Sequence, residues 1–527
     1  MKKCVPSVRW GMFLYGMCLR RSISRHTIAA AALASAFWGA QGVLAQEQGS
    51  IKSAAANSAA VSSGELSSKK SSSDESSSTN SSSLASSSTA GALQMVLALL
   101  PEADSSEGSA LRIVGSNAHQ FKQLILPELF TLVRDGGIQL SAYRRLRYPV
   151  GDDAAWAVAS PEQKITLDAD GAPIFGNARF RRGFPFGSVD EIASKGEALA
   201  GNEVLWNFAT RRWSYPVMKS SFDISVVREQ RLERRLQGSL TRWHPHEEGE
   251  AAAAQVFREF IQMTSPEVVA DYRFLSFRFL GNEEDLLWMY SPALKQVRQL
   301  TGPNRSDPLF RTGVSLDDLF LWSTKPETVG ARLDKGITAF VPFMGLDLAK
   351  LSEPTGNDPC KEISIEPPLS ASAAEGGAAA LFPQEGAELF FPEGTVVVPR
   401  ELVRVTLNPK DPFGQNGRVV LYLDKQLQIP VAKVVFDRSG QLWKIALAGL
   451  GISASENETR REPFLRFVVV SDRKSHTVTT LDFTSTALCS AVPDSLPREF
   501  FDPARLAPPA AVAPATAGAG PSSGARN

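Results

Sequence analysis

The feature that most constrains the fold is a series of five short, β-rich runs near the C-terminus. Two of the segments between them, Asp424-Lys425-Gln426 and Asp437-Arg438-Ser439-Gly440, have turn composition, and Gly440 is placed to adopt positive φ. Short strands at such close spacing are typical of an antiparallel meander. We therefore predict strands in five consecutive runs: Arg418–Leu423, Ile429–Phe436, Gln441–Leu447, Phe464–Val470 and Thr477–Phe483.

A second strand-rich region lies in the middle of the chain. Asp271–Leu280 is rich in aromatic residues, Leu286–Tyr290 is a compact apolar run, and Lys295–Leu300 alternates. Gly281-Asn282-Glu283-Glu284 separates the first two runs and has turn composition. We predict three consecutive antiparallel strands here, and a further strand at Phe222–Val227.

Helical patterns are fewer than strand patterns. The strongest has four apolar residues at helical spacing, namely Val256, Phe257, Phe260 and Ile261. A second candidate contains Pro127, which suits the first turn of a helix, and a third begins after the N-cap residue Ser315. We therefore predict helices in Gly249–Met263, in part of Gln120–Arg134 and in Ser315–Leu321.

The charge distribution separates the N-terminus from the rest of the chain. Residues 1–45 hold six basic and no acidic residues, which leaves 50 basic and 56 acidic residues, a net charge of −6. This mildly acidic remainder lacks the basic footprint of a nucleic-acid-binding protein. Beyond the N-terminus, no apolar stretch approaches the about 20 residues needed to cross a bilayer.

The N-terminus has the three parts of a secretory signal. Basic residues precede an Ala-rich apolar run, Thr27–Ala45, which ends in the small-residue pattern Val43-Leu44-Ala45. We predict a signal peptide over residues 1–45, cut between Ala45 and Gln46. The pair Arg20-Arg21 suits either the twin-arginine or the general secretory route, and an uncleaved anchor is a further alternative.

Low-complexity segments mark the predicted boundaries of the folded part. Twelve of the twenty residues from Ser71 to Ala90 are Ser, which is too little apolar material to offset the entropy of ordering. We predict a disordered Ser-rich leader over 46–105, a globular domain over 106–504, a low-complexity loop near 369–380, and a disordered Pro- and Ala-rich tail over 505–527.

No motif in the sequence carries a strong catalytic or metal signal. His244-Pro245-His246 could be imagined as a metal site, but a solvated loop is the favoured interpretation. The carboxylate pairs Asp317/Asp318 and Glu283/Glu284 suit a helix start and a turn as well as acid–base work. Arg305 and Asp307 are interpreted as an ion pair that locks a loop. We predict no catalytic residue, no metal, no cofactor and no enzyme activity.

Two cysteines, Cys360 and Cys489, remain after the predicted signal. An even cysteine count in an exported protein favours a disulfide, and two separate buried thiols are the alternative.

Aromatic residues accompany the strand-like runs. Two interpretations are open: an ordinary sheet core, which the residues alone favour, and a half-open barrel that holds an apolar ligand. The tryptophans concerned are Trp206, Trp213, Trp243, Trp288, Trp322 and Trp443.

Several short motifs also occur in a characteristic order. They are Gly183-Phe184-Pro185-Phe186, Val204-Leu205-Trp206-Asn207, Asp285–Arg298, Asn304-Arg305-Ser306-Asp307, Gly313–Phe320 and Val434–Lys444. Their order resembles a family of proteobacterial exported proteins with a domain of unknown function, labelled outer-membrane lipoprotein-sorting-like. The resemblance spans about residues 120–450, and the Ser-rich leader, the insertion near 369–380 and the tail depart from it.

The resemblance implies a fold of the LolA/LolB type: mainly β with a few helices, in which a curved antiparallel sheet or half-open barrel wraps around short helices. It also implies a periplasmic location, with outer-membrane association as a further expectation. Members are often encoded near inner-membrane exporters of the resistance–nodulation–division type, so such an exporter is an expected partner. The resemblance transfers no catalytic residue.

These inferences lead to two functional hypotheses. The first is a non-catalytic periplasmic protein that carries an apolar ligand, a lipid or lipoprotein acyl chain, with Phe274, Trp288, Tyr290 and Phe340 as candidate contacts. The second is a periplasmic adaptor for an exporter, with no ligand cavity. An open apolar cavity of a few hundred Å³ favours the carrier, and a filled interior favours the adaptor.

Overall fold

The structure is a computed structural model that describes residues 91–103, 109–151, 165–175, 183–196, 198–211, 215–229, 231–245, 255–281, 283–352, 357–363, 388–455 and 461–508. Nineteen strands and four short helices lie in these residues, which confirms the mainly β class. The predicted signal peptide with its cleavage site, the loop near 369–380, Trp213 and His246 lie outside the described residues.

The helices are α1 (residues 91–97), α2 (Pro127–Arg134), α3 (Val189–Lys195) and α4 (Ala200–Thr210). The strands are β1 (Leu111–Ile113), β2 (Leu140–Ala142), β3 (Ile165–Leu167), β4 (Pro173–Phe175), β5 (Val217–Arg228), β6 (Arg231–Trp243), β7 (Gln255–Ser265), β8 (Arg273–Phe279), β9 (Leu286–Ser291), β10 (Gln296–Leu300), β11 (Val329–Met344), β12 (Ala349–Lys350), β13 (Cys360–Ile363), β14 (Thr395–Pro409), β15 (Asn416–Asp424), β16 (Pro430–Asp437), β17 (Leu442–Ala454), β18 (Arg461–Asp472) and β19 (Thr477–Cys489). Turns of 3-10 helix lie at Ala118–Leu124, Gly302–Ser306, Leu309–Arg311, Leu316–Asp318, Pro326–Thr328, Arg498–Phe501 and Pro503–Arg505.

Thirteen of these strands form one continuous antiparallel series. Its order is β10–β9–β8–β7–β6–β5–β19–β18–β17–β16–β15–β14–β11. At the end of β11 the chain returns to β17 through the parallel pair Phe343–Leu450. The sheet therefore curls back on itself at this end, as a curved sheet must when its outer strand meets an inner one.

The two predicted strand regions are confirmed. The five C-terminal runs are β15 to β19, each paired antiparallel with the next, and the three central runs are β8, β9 and β10. Phe222–Val227 lies within β5. Strand β17 continues seven residues past its predicted end at Leu447, because Gly449 and Gly451 leave room for the rings of Phe467 and Phe464 on β18.

The helix predicted for Gly249–Met263 is wrong for every one of its residues that the structure describes. Residues 255–263 belong to β7, which pairs with both β6 and β8. Ile261 packs into the main core, whereas its neighbour Phe260 packs into a second cluster on the other face of the sheet. The strand is buried on both faces, and its apolar residues Val256, Phe257, Phe260 and Ile261 fall in two pairs whose spacing also suits one face of a helix.

The two smaller helix predictions are confirmed in shortened form. Helix α2 begins at Pro127, and the 3-10 turn Ala118–Leu124 precedes it. Ser315 caps the 3-10 turn Leu316–Asp318 through a reciprocal capping box with Asp318.

The aromatic pattern places Trp206 in or beside a strand, but in the structure this residue lies in helix α4. Its indole Nε1 donates a hydrogen bond to the Gly171 carbonyl oxygen at 2.8 Å. At Gly201 the helix lies against β11, where a Cβ atom would be 2.4 Å from the Ala331 carbonyl oxygen. Ten of the eleven residues of α4 are buried, and these include the polar residues Asn202, Glu203, Asn207 and Thr210, so this helix has no solvent-exposed face.

Both predicted disordered segments extend too far into the folded part. The leader over 46–105 includes residues 91–103, where α1 forms and where Leu100 and Ala103 are buried. The tail over 505–527 includes 505–508, where Leu506 is 2% exposed. In both segments a few apolar residues pack into the core clusters on the sheet. The remaining parts of the two segments lie outside the described residues.

None of the helices in the described part of the chain has the length and apolar character needed to span a membrane.

The contact between Gly449 and Phe467 gives a direct test of the sheet. We expect Gly449→Ala to lower the free energy of unfolding by about 1–3 kcal/mol, because the new Cβ would lie 2.1 Å from a fully buried ring. Gly302→Ala is the matched control, since nothing lies within 4 Å of its Cβ position. Urea unfolding of both variants checks this, and equal stabilities would show that β17 and β18 do not pack in this register.

Candidate functional site

A loop between β10 and β11 crosses one face of the sheet and organises its interior. We call residues 301–328 the bridging loop. It reaches β8 through Phe310, whose ring centroid lies 6.2 Å from that of Phe274, and β19 through Gly313, whose N–H donates to Thr479 Oγ1 at 2.7 Å. Gly313 is needed there, because a Cβ atom would lie 2.9 Å from the same oxygen. The loop thus spans the sheet from β8 to β19.

Buried arginine–carboxylate pairs fix one end of this loop. Arg278 on β8 donates to Asp285 Oδ2 from Nε at 2.9 Å and from Nη2 at 2.7 Å. Arg305, in the loop, donates from Nε to Asp317 Oδ1 and from Nη1 to Ser276 Oγ, each at 3.1 Å. Charge-assisted hydrogen bonds of this kind are stronger than neutral ones. Arg278 also donates from Nη1 to the Ser323 carbonyl oxygen of the loop at 2.8 Å.

A third pair lies beside the first two. Arg242 on β6 stands opposite Glu259 on β7 in the strand register, and its Nε donates to Glu259 Oε2 at 2.9 Å. Glu259 is 0% exposed. Removing a single partner from such a pair leaves an uncompensated buried charge, which is strongly destabilising.

Carboxylates of this network respond differently to burial. Burial tends to raise the pKa of Asp285, but Arg278 and Arg305 outweigh it and hold the pKa below its ordinary value. Burial dominates at Asp317, whose pKa is raised despite Arg305 and Arg278. Burial also opposes ionisation of Asp318, yet Lys433 and Lys444 outweigh it and lower the pKa of Asp318 to about 2.

The other end of the bridging loop holds the turn between β8 and β9. Lys325 donates from Nζ to the carbonyl oxygens of Gly281 and Glu283, both at 2.6 Å. Glu327 Oε1 accepts from the Gly281 N–H at 3.0 Å and lies 4.0 Å from Lys325 Nζ. Burial raises the pKa of Glu327 to about 7, against the opposing effect of Lys325. The two side chains together clamp the turn.

Two of the carboxylate interpretations from the sequence change in the structure. Arg305 pairs with Asp317 and not with Asp307, which instead accepts from Asn304 Nδ2 at 2.9 Å. The reason is that Arg305 turns into the sheet towards Ser276. Asp317 and Asp318, predicted as local features of a helix start, point to different partners in the buried network.

His244, half of the His244-Pro245-His246 motif, is buried, and its Nδ1 lies 2.8 Å from the Val256 carbonyl oxygen. Among the described residues, no group of three or more His, Cys, Asp or Glu side chains is arranged to hold a metal ion.

Small cavities border the bridging loop and α2. The two cavities beside Phe320 have volumes of about 40 Å³ and 10 Å³. A third, of about 20 Å³, lies between the start of α2 and strands β2, β11, β14, β16 and β17. A buried water needs roughly 10–15 Å³, so each of these cavities has the volume of one or a few waters and is too small for a lipid.

The candidate ligand contacts from the sequence do not form one site. Phe274 faces the bridging loop in the main core, whereas Tyr290 and Trp288 lie on the opposite face with Phe277. That face is covered by the C-terminal segment through Phe500 and Phe501 with Leu496 and Leu506. Phe340 lies apart from all three and lines the cavity beside α2.

Cys360 and Cys489 are joined by a disulfide in the structure. They stand opposite each other in the pairing of β13 with β19, immediately before the C-terminal segment.

Sequence reasoning missed the arginines of the network. Arg242 and Arg278 each sit beside apolar residues in a strand, between Thr241 and Trp243 and between Phe277 and Phe279. An arginine inside an otherwise apolar strand is a usable signal, because it needs a buried partner. The partner itself depends on the strand register.

Comparison with known proteins places the chain in a family. The family model described as "Protein of unknown function (DUF1329)" matches residues 112–506, which is most of the chain. The chain belongs to the DUF1329 family. This confirms the resemblance drawn from the motif order.

Solved structures also align with this DUF1329 protein. A domain named for outer membrane lipoprotein sorting from Vibrio parahaemolyticus is 15% identical, with a TM-score of 0.39, and covers 59% of this chain and 99% of its own. A DUF1329 family protein from Desulfovibrio piger is 14% identical, with a TM-score of 0.37, and covers 57% and 97%. A LolA superfamily protein from Nitrosomonas europaea is 13% identical, with a TM-score of 0.33, and covers 57% and 98%. No curated protein matches the chain.

The raised pKa of Glu327 predicts a pH dependence of stability. The pKa of Glu327 is about 7 in the folded protein and about 4.3 in the unfolded chain. The stabilisation from protonated Glu327 is therefore fully present below pH 4.3 and is lost as the pH rises through 7. When the pH is lowered from 8 to 5, the free energy of unfolding of wild-type protein should rise by about 2 kcal/mol relative to that of Glu327→Gln.

The measurement is urea unfolding of both proteins at both pH values. Gln keeps a carbonyl oxygen for the Gly281 N–H and removes the titration, so the difference between the proteins isolates this one group. A difference that is independent of pH would mean that Glu327 stays ionised in the folded protein.

Proposed function

We propose that this DUF1329 protein is a non-catalytic protein of the bacterial periplasm that binds an apolar ligand, a lipid or lipoprotein acyl chain, beneath α2. The observation that carries the proposal is the cavity beside α2, whose lining residues are all apolar. They are Ile125, Leu126, Leu129, Leu140, Phe340, Pro342, Phe391, Val397, Val431, Ala432 and Leu447. A site of this composition favours hydrocarbon and offers little to a polar substrate.

The periplasmic part of the proposal is supported by the sequence. The secretory signal features of residues 1–45 and the motif order shared with an exported, lipoprotein-sorting-like family both favour export. Outer-membrane association and an exporter partner rest on that resemblance alone.

Binding requires the cavity to open, because its present volume of about 20 Å³ is far below that of an acyl chain. Helix α2 is the element that would move. Its Glu128 is tied to the sheet by Tyr422, whose hydroxyl donates to Oε2 at 2.9 Å and to Oε1 at 3.2 Å. A hydrogen bond to a charged group contributes about 1.5–3 kcal/mol, so this tie is strong enough to set how often α2 opens.

A second candidate function is an interaction module that carries no ligand. The small volumes of the three cavities favour this candidate, since an adaptor binds protein through its surface and uses no ligand cavity. The two candidates differ in whether α2 opens to an apolar ligand.

The test is uptake of a fatty acid that carries a fluorophore at its methyl end. We expect wild-type protein to take up the probe, and Tyr422→Phe to take it up about tenfold faster. Loss of the hydrogen bond to Glu128 should lower the free energy of opening α2 by about 1.4 kcal/mol, which raises the open population tenfold. Ala432→Leu should suppress uptake, because the larger side chain fills the site.

Tyr215→Phe is the matched control. Its hydroxyl also donates to a glutamate, Glu462 Oε1, at 2.8 Å. Tyr215 lies just before β5 and Glu462 lies on β18, and neither residue lines the cavity beside α2. Uptake by Tyr215→Phe should equal that of wild type. If neither wild-type protein nor Tyr422→Phe takes up the probe, the carrier function is rejected in favour of the interaction module.

A further inference from the structure

Phe320 is the wall between two cavities on the face of the sheet that the bridging loop covers. The larger cavity, about 40 Å³, is bordered by the rings of Trp206, Phe257 and Trp322 and by the polar side chains of Arg242, His244 and Arg278. The smaller, about 10 Å³, is bordered by Phe464 and other side chains of β5, β18 and β19. Phe320 is the residue that lines both cavities, so it lies between them.

The ring of Phe320 sits in a slot shaped for a planar group. It stacks on Phe483, with centroids 5.9 Å apart and planes inclined by 10°. The guanidinium carbon of Arg242 lies 4.4 Å from its centroid. Stacking on an aromatic face and contact with a guanidinium are both interactions that any flat π-system can make.

The backbone that holds Phe320 in the slot is strained. Phe320 has φ +56° and Leu321 has φ +67°, and both lie in the left-handed region that side chains other than Gly rarely adopt. Such strain persists only where surrounding contacts enforce it. Here the Ser323 N–H donates to the Asp317 carbonyl oxygen at 2.9 Å, and Asp317 is held by Arg305.

We propose that Phe320 is a displaceable plug in a second binding site, and that this site takes the planar ring of an uncharged aromatic ligand. When the plug leaves, the two cavities join and the ligand ring takes the place of the Phe320 ring between Phe483 and Arg242. A benzene-sized molecule needs a cavity of about 150 Å³, and the space vacated by the Phe320 ring would add to the two cavities that it borders. Arg242 already pairs with Glu259, so the slot favours an uncharged ring over an anion.

This site is independent of the proposed acyl-chain site. It shares no lining residue with the cavity beside α2. The two are distinguished by probe and by variant: Phe320 substitutions should leave fatty-acid uptake unchanged, and Tyr422→Phe should leave aromatic binding unchanged.

The test is fluorescence titration with N-phenyl-1-naphthylamine, an uncharged aromatic dye. We expect weak binding to wild-type protein and at least tenfold tighter binding to Phe320→Gly, because Gly removes the plug and accepts positive φ without strain. Phe274→Ala is the matched control: it removes a buried ring from the same face of the sheet but lines neither cavity. It should bind the dye as wild type does.

Equal affinity of Phe320→Gly and wild type would overturn the proposal, and so would equal tightening by Phe274→Ala. A second measurement uses wild-type protein alone and so does not depend on folding of the variant. Amide hydrogen exchange at Ser323 should become faster at saturating dye, because the plug must leave the slot. Unchanged exchange at Ser323 would overturn the proposal as well.

Discussion

The buried pairs between arginines and carboxylates are the interactions on which the interior of this protein depends. Arg278 pairs with Asp285 and also donates to the Ser323 carbonyl oxygen of the bridging loop. Arg305 of the loop pairs with Asp317 and also donates to Ser276 Oγ on β8, so the paired arginines join the loop to this strand at fixed atoms. Apolar contacts alone are non-directional and would allow Phe310, Phe320 and Leu321 to shift along the sheet. A shift by one residue would leave buried charges unpaired, so the charged network fixes the register of the loop on the sheet.

That fixed position explains why the sheet is closed on this face. The loop has only single turns of 3-10 helix, yet it covers strands from β8 to β19 and places Phe320 against Phe483. It also leaves a strained backbone at Phe320 and Leu321, which the network stabilises from Arg305 through Asp317. The cover on the other side of the sheet is different: the C-terminal segment holds Trp243 and Phe260 through the rings of Phe501 and Phe500. Candidate ligand sites in this fold therefore lie under short elements that can move without unpairing the main strands.

The sequence predicted those parts of the fold that local chemistry decides. Strands β15–β17 were found because their turns, such as Asp437-Arg438-Ser439-Gly440, are recognisable without any tertiary information. Elements buried on all sides differ from the predictions. No helix is predicted at α4, whose polar residues are buried, and a helix is predicted at β7, where Phe260 and Ile261 are buried on opposite faces of the sheet. In these elements tertiary packing, and not local periodicity, decides the structure.

The candidate sites were harder to predict than the fold. Of the four aromatic candidates, only Phe340 lines a cavity described above, and Phe274 is separated by the sheet from Trp288 and Tyr290. Alternation showed which side chains of one strand share a face, but it could not show which element covers that face. Arg242 and Glu259 are seventeen residues apart and meet only through the register of β6 and β7.

The proposal that this protein binds an apolar molecule in the envelope is tested most directly by native mass spectrometry of protein purified from its own envelope, because a retained ligand is weighed together with the polypeptide. We expect a native mass above that of the mature polypeptide, with the excess released on denaturation and extractable into organic solvent. Identical native and denatured masses, in protein that also takes up no added apolar probe, would contradict it.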